Sequence, residues 1–181
     1  HQLAVTEEYM VIVDCAFYME NEQVFDPSFS KAQSPDTIVY IARRDAFEDG
    51  AEVAVKRVVI EREAVHLTAD YANPNGRITL HVAHNSATDA SEWVRADDVL
   101  YHSGEPVRPE FQGLIPTATD LNFVGRHVID ARAGELIDSA IVSDEELTWG
   151  VAFFTHHGQT IPGQLEHVFF NSVGFTDETL T

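Results

Sequence analysis

Nine histidines in an acidic chain of 181 residues are the first chemistry to explain. Neutral imidazole is a common ligand for iron, zinc and copper. The compact metal motifs are missing: there is no HExxH, no CxxC and no HxH run. Nor does a serine sit in GxSxG, a P-loop occur, or a GxGxxG open a helix. Histidines that bound one metal here would have to converge from separate strands. His81 and His84 stand three apart in the strand-like run RITLHVAHN. Side chains alternate along a strand, so these two face opposite sides and cannot share an ion without a bulge. At least one of them is therefore structural. The adjacent His156 and His157 meet the same obstacle. A lone histidine on a strand more often serves packing than ligation.

Charge narrows the partners. Eleven Lys and Arg against 30 Asp and Glu leave a net charge of −19. Nucleic acid and anionic membrane surfaces would both repel such a chain, so neither is expected as a partner. The length suits one domain with a sizeable core, and 44% apolar residues is ordinary for a globular protein. The single Cys15 has no partner for an internal disulfide and lies in an apolar run, where a buried, inert thiol is expected. No stretch approaches the roughly 18 apolar residues of a membrane helix, and no signal peptide is recognisable. A cytoplasmic location is expected.

The elements that must position the histidines read as β throughout. Val, Ile, Thr, Tyr and Phe cluster in short runs between Gly, Pro, Asn and Asp. The chain opens on HQLAVTEEYMVIVD, a short turn-like TEE followed by a strand-like run. TIVYIARR (37–44) and AEVAVKRVVI (51–60) flank a turn at Asp49-Gly50. AVHLTADYA (64–72) and RITLHVAHN (77–85) flank NPNG. GRHVIDA (125–131) and ELIDSAIV (135–142) flank RAG. GVAFFTHH (150–157) and LEHVFFNSV (165–173) flank a turn with Gly and Pro. No window carries a 3.6-residue apolar period, and at most a helical turn is expected near Ala90–Trp93. Repeated hairpins at near-even spacing indicate a β-propeller or a sandwich, and spacing alone leaves both open. Two sheets packed face to face would defeat the propeller and leave the sandwich. A propeller would let histidines converge, because its inner strands turn side chains toward a common axis. The polar stretch from about 86 to 121 holds three prolines without alternation. It is long for a bare connection and reads as a functional lid or as a surface excursion.

The opening HQLAVTEEYMVIVD resembles a motif of the carotenoid cleavage oxygenases, the family that includes the lignostilbene dioxygenases. That motif runs His-Asp-Phe-Ala-x-Thr-x-Asn-Tyr into an apolar strand. His1, Ala4, Thr6 and Tyr9 match it, whereas Gln2, Leu3 and Glu8 depart. AVHLTADYANPNGRITLHV is similar to a second family motif, a histidine on a strand entering a hairpin. His66 takes the ligand place, with Asp70 and Tyr71 nearby where the family has Asn and Glu. ITLHVAHNSATDASEWV, ELTWGVAFF and LEHVFFNSVGF are similar to the bacterial lignostilbene-type branch.

The resemblance implies an all-β fold: part of a seven-bladed β-propeller, with roughly two to three blades of antiparallel hairpins in a single partial domain, 1–181. It implies an iron(II)-dependent dioxygenase that splits a conjugated C=C bond of a carotenoid, apocarotenoid or stilbene into two carbonyl products. The partners are then a small apolar conjugated substrate and O2, and membrane contact is left open. Of the family's four histidine ligands to Fe(2+), His1 and His66 supply two. The chain is then an interior piece of a longer enzyme, inactive alone, with one ligand upstream and one downstream. The HHG run at 156–158 does not supply the last, since family-like sequence continues after it. The family places glutamates behind its ligand imidazoles, and Glu166, five residues before Asn171, is the candidate. The alternative from the residues themselves is a metal-free, β-rich binding module. A metal-free reading makes Glu166 a solvated carboxylate.

Overall fold

A computed structural model describes residues 2–15, 21–26, 36–85, 94–100, 103–113, 123–142, 148–149, 153–154, 163, 165–171 and 174–175. It is all-β, apart from a helix of five residues, α1 (Asn21–Phe25), and short 3-10 turns. Two antiparallel sheets of four strands dominate. The first holds β1 (Gln2–Val5), β2 (Tyr9–Asp14), β3 (Asp36–Arg43) and β4 (Lys56–Glu61). The second holds β5 (Glu63–Ala69), β6 (Arg77–Asn85), β7 (Phe123–Asp130) and β8 (Glu135–Val142). In both, strand order in space equals strand order in sequence.

Alternation explains each sheet. Tyr9, Val11 and Val13 of β2 are buried and Ile12 between them is exposed. Val11 pairs with Ile41 and Val13 with Val39, which in turn pairs with Val58, so one face collects the apolar side chains. In the second sheet Leu67 pairs with Val82 and Ala69 with Leu80, and Ile78 pairs with Ile129. These two faces merge into one core, to which Cys15 also belongs. The Cys15 thiol is buried, and burial raises its pKa.

The chain passes from sheet to sheet through one residue. Arg62 lies between β4 and β5 in the left-handed region (φ 84), which costs a non-glycine residue about 1–2 kcal/mol. Its carbonyl accepts from the Thr37 hydroxyl (2.9 Å), and its guanidinium lies 4.6 Å over the Phe123 ring. A second tie joins the ends of the sheets. Asn73 Oδ1 accepts from the Thr6 hydroxyl (2.8 Å) and from the Glu8 amide (2.9 Å), while its Nδ2 donates to the Arg77 carbonyl (3.2 Å). Glu7 N donates to Tyr71 O (2.7 Å) and Arg44 reaches the Thr6 and Glu7 carbonyls. The β1–β2 turn is thereby locked to the β5–β6 turn. Thr6 and Tyr9, which carry part of the family resemblance, are both buried at this junction.

The hairpins expected from the sequence form, with changes. Residues 77–85 and 135–142 match β6 and β8 end for end. The strand expected over 51–60 begins only at Lys56. Among the described residues of the fourth hairpin and its flanks, two short ladders pair: β9 (Thr148–Trp149) with β12 (Gly174–Phe175), and β10 (Phe153–Phe154) with β11 (Phe170–Asn171). The described residues of the stretch expected as a lid or a surface excursion, 94–100 and 103–113, fold back on themselves. Val99 bridges Pro106, Val107 N donates to Asp98 O (2.9 Å), and Gly113 N donates to Val94 O (2.9 Å). The helical turn expected at Ala90–Trp93 lies outside the described residues. Among the described residues no helix is long and apolar enough to cross a membrane.

Candidate functional site

The strand histidines divide by the face their strand presents. His66 sits on β5, the leading strand of the second sheet. Plain alternation would put it on the same face as Ala64, which is buried in the core. A β-bulge prevents this. Ala64 pairs with His84, but His66 pairs with Ala83, and Val65 is the extra residue between them. The bulge moves His66 to the face away from the shared core, while Leu67 and Val82 continue inward. His66 is half-buried there, and desolvation lowers its pKa, which favours the neutral imidazole that a metal requires.

His81 shares the outward face. It pairs with Thr68, next to the His66–Ala83 pair, and its Nε2 meets Asp70 Oδ1 at 3.0 Å. Asp70 is buried, and the same oxygen accepts from Leu165 N (3.3 Å), which fastens the 163–165 segment to the β5–β6 turn. Glu166 follows directly and is exposed, on irregular chain before β11. His1 lies outside the described residues, as do His156 and His157. Among the described residues, no group of three or more His, Cys, Asp or Glu side chains is placed to hold a metal ion.

The inward face carries a site that sequence reading did not single out. His84 and His127 are fully buried, at 0% and 1% exposure, and their Nε2 atoms lie 2.8 Å apart. The rings meet edge to face, at 87° with centroids 5.0 Å apart. They are not cross-strand partners: Leu80 pairs with His127, Val82 with Gly125, and His84 with Phe123, so the two rings reach toward each other over the Val82–Gly125 pair. Gly125 is what lets them meet. A Cβ at that position would lie 2.5 Å from His127 Nε2 and 2.7 Å from His84 Nε2.

The partners assign the protons. His84 Nδ1 lies 3.0 Å from the Glu63 carbonyl, which can only accept, so Nδ1 carries the proton and Nε2 is a bare acceptor. His127 Nε2 must then donate to it. That leaves His127 Nδ1 bare, to accept from the Ser139 hydroxyl at 2.9 Å. Both rings are neutral. Burial, reinforced for His84 by His127 and Arg62 and for His127 by His81, pushes each pKa down to about 4. Such a pair suits no metal where it stands, because all four ring nitrogens already hold hydrogen-bond partners and, among the described residues, no further His, Cys, Asp or Glu completes a ligand group with them.

His84 was legible as half of an opposed pair with His81. Its bond to His127 was not, since 43 residues separate them and only register brings them together. The available signal was a glycine two residues before a strand histidine, a spacing that clears one side-chain position on the same face. No family model, curated protein or solved structure matches the chain.

Proposed function

We propose that this chain is part of an iron(II)-dependent dioxygenase that cleaves a conjugated C=C bond, with His1 and His66 as two of its four ligands. The observation that carries the reading is the bulge at Val65, which spends a residue to turn His66 out of the core on a leading strand. Bulges gather beside active sites because they re-aim side chains.

Topology supports the propeller on which the reading depends. Two sheets sharing one core would also suit a sandwich, since neighbouring blades and paired sheets both pack face on face. Strand order favours the propeller: Greek-key sandwiches exchange strands between sheets, whereas each four-stranded sheet here is a meander of four consecutive strands. Equivalent strands also adjoin: β1 lies against β5 and β4 against β8. His66 lies on β5, the leading strand of the second meander, and His1 directly precedes the leading strand of the first in sequence. In a propeller those strands line the axis.

Bound iron would supply the activation of O2. The chain's part is to present neutral imidazoles from rigid strands and to keep them oriented. Glu166, exposed as it stands, would reach a ligand imidazole only if further chain buried it. The test is iron content and product formation by the full-length protein, with an apocarotenoid and a stilbene as substrates under labelled O2. His66→Ala is expected to lose iron and activity and to keep the fold, and His81→Ala to keep iron. Full iron occupancy in His66→Ala would overturn the assignment. An iron-free, inactive full-length protein would favour a metal-free binding module.

A further inference from the structure

The Ser139–His127–His84 chain has no part in the proposed metal centre, and it ends on the most exposed strand of the second sheet. We propose that β8 is an acid-released edge strand, latched to the sheet through Ser139 by the buried His84–His127 pair.

Two features make β8 the part that moves. It is the edge of its sheet, and all eight of its residues are exposed, so lifting it uncovers the covered parts of Leu136, Ile137 and Ile141 but no fully buried residue of its own. It also holds the outer end of the histidine chain, the Ser139 hydroxyl on His127 Nδ1. Its other described ties are the main-chain ladder to β7, the exposed Arg126–Asp138 ion pair on the opposite face and, in the turn before it, Gly134 against the Lys56 stem.

The latch responds to acid because its donors and acceptors are all matched. Each neutral ring carries one proton, and every ring nitrogen has its partner. One more proton could enter only at His127 Nδ1, with Ser139 turning from donor to acceptor. It would leave a cation buried in the core. The charges that act on the pair make this worse: Arg62 between β4 and β5, and His81 from the opposite face of β6. Glu63 of β5 offers His84 its main-chain carbonyl. The first sheet contributes apolar side chains and the uncharged Tyr9 and Cys15 to the shared core. The closed sheet therefore excludes the proton, whereas a sheet with β8 lifted hydrates His127 and accepts it. Acid then favours the open form.

The size follows from linkage. An exposed imidazole titrates near 6.5 and the closed pair near 4. At pH 5 an opening that frees one imidazole is favoured by about 30-fold over its neutral-pH value, and the effect saturates at about 300-fold per ring below pH 4. Amide hydrogen exchange on the intact chain reads this directly, as protection factors for each strand at pH 7.5 and pH 5. Protection in β8 and the facing side of β7 is expected to stand below that of β2 and β3 at both pH values and to fall by about 30-fold, the response of an opening that frees one imidazole. β2 and β3 exchange through global unfolding, which frees both imidazoles, and fall more steeply from a higher level. Ser139→Ala is expected to lower β8 protection already at pH 7.5 and to retain the acid response. His127→Phe is expected to flatten that response, and if this variant does not fold the wild-type profile decides alone. Protection in β8 that ignores pH would overturn the proposal. So would β8 protection equal to that of β2 and β3 at both pH values, which would make the pair a reporter of global unfolding, and so would Ser139→Ala without effect at pH 7.5.

Discussion

Gly125→Ala adds one methyl group, and the structure assigns it a sign opposite to the usual rule. Glycine within a strand costs about 0.5–1 kcal/mol relative to alanine, so the substitution should ordinarily stabilise. Gly125 has no left-handed φ to protect it. The new Cβ, however, would stand 2.5 Å from His127 Nε2, 2.7 Å from His84 Nε2 and 2.9 Å from His84 Cδ2. Ordinary contact needs about another ångström from each. Neither ring can yield cheaply, since both are fully buried and each is held at its far nitrogen, by Glu63 and by Ser139. Overpacking of this kind costs about 1–3 kcal/mol. Parting the rings leaves a buried donor and acceptor unmatched, for another ~1–3 kcal/mol. Net of the strand gain, Gly125→Ala should lose about 3 kcal/mol. Equilibrium urea unfolding measures it, as a lower midpoint at unchanged slope. Gly50→Ala is the contrast: nothing lies within 4 Å of its Cβ position, so only its left-handed backbone (φ 75) is strained, for about 1 kcal/mol. A Gly125→Ala protein as stable as wild type would refute the close-approach argument and the tight pairing of the rings with it.

Further outcomes follow from other contacts. Asn73→Ala removes two hydrogen bonds that join the β1–β2 and β5–β6 turns and one within the latter, and should lower stability by about 2–4 kcal/mol in the same unfolding assay. Global stability should be constant above pH 6.5 and fall as pH drops toward 4, because the unfolded chain binds protons there that His84 and His127 refuse. The loss is about 3 kcal/mol per imidazole, read from urea midpoints across that window. Asp130 has the opposite origin: the Ala133 and Arg132 amides on its carboxylate lower its pKa. Its contribution is present above the ordinary carboxylate range and lost as pH falls through it. Asp130→Ala should therefore be less stable than wild type at pH 7, with the difference closing in acid.

Much of the scaffold was legible because it rests on alternation. The strands over 77–85 and 135–142 are bounded by turn residues, and the first carries a period-2 apolar pattern in Ile78, Leu80 and Val82; the structure starts and stops both at those residues. α1 escaped because five residues are too few to show a helical period. Asn73 read as filler in a turn, since its role comes from Thr6 and Glu8, more than sixty residues away. The candidate site was harder for a related reason. Alternation assigns a face only while the count of residues is unbroken, and the bulge at Val65 breaks it just before the residue that matters.

That break also separates the histidines by chemistry rather than by type. His81 is tied to a buried carboxylate, and His84 and His127 have exchanged hydrogen bonds with each other in a dry interior. A nitrogen used in that way has no lone pair to give a metal without leaving a buried group unmatched. His66 differs in position first: the extra residue at Val65 carries it off the face that captured the other two. Deleting Val65 would restore plain alternation and swing His66 toward the core face. In the full-length protein, iron should then be lost with the His66 imidazole still present. Retained iron in that deletion, with both sheets intact by amide exchange, would show that the direction of His66 is irrelevant to metal binding. A loss would place the function in the bulge, not merely in the residue.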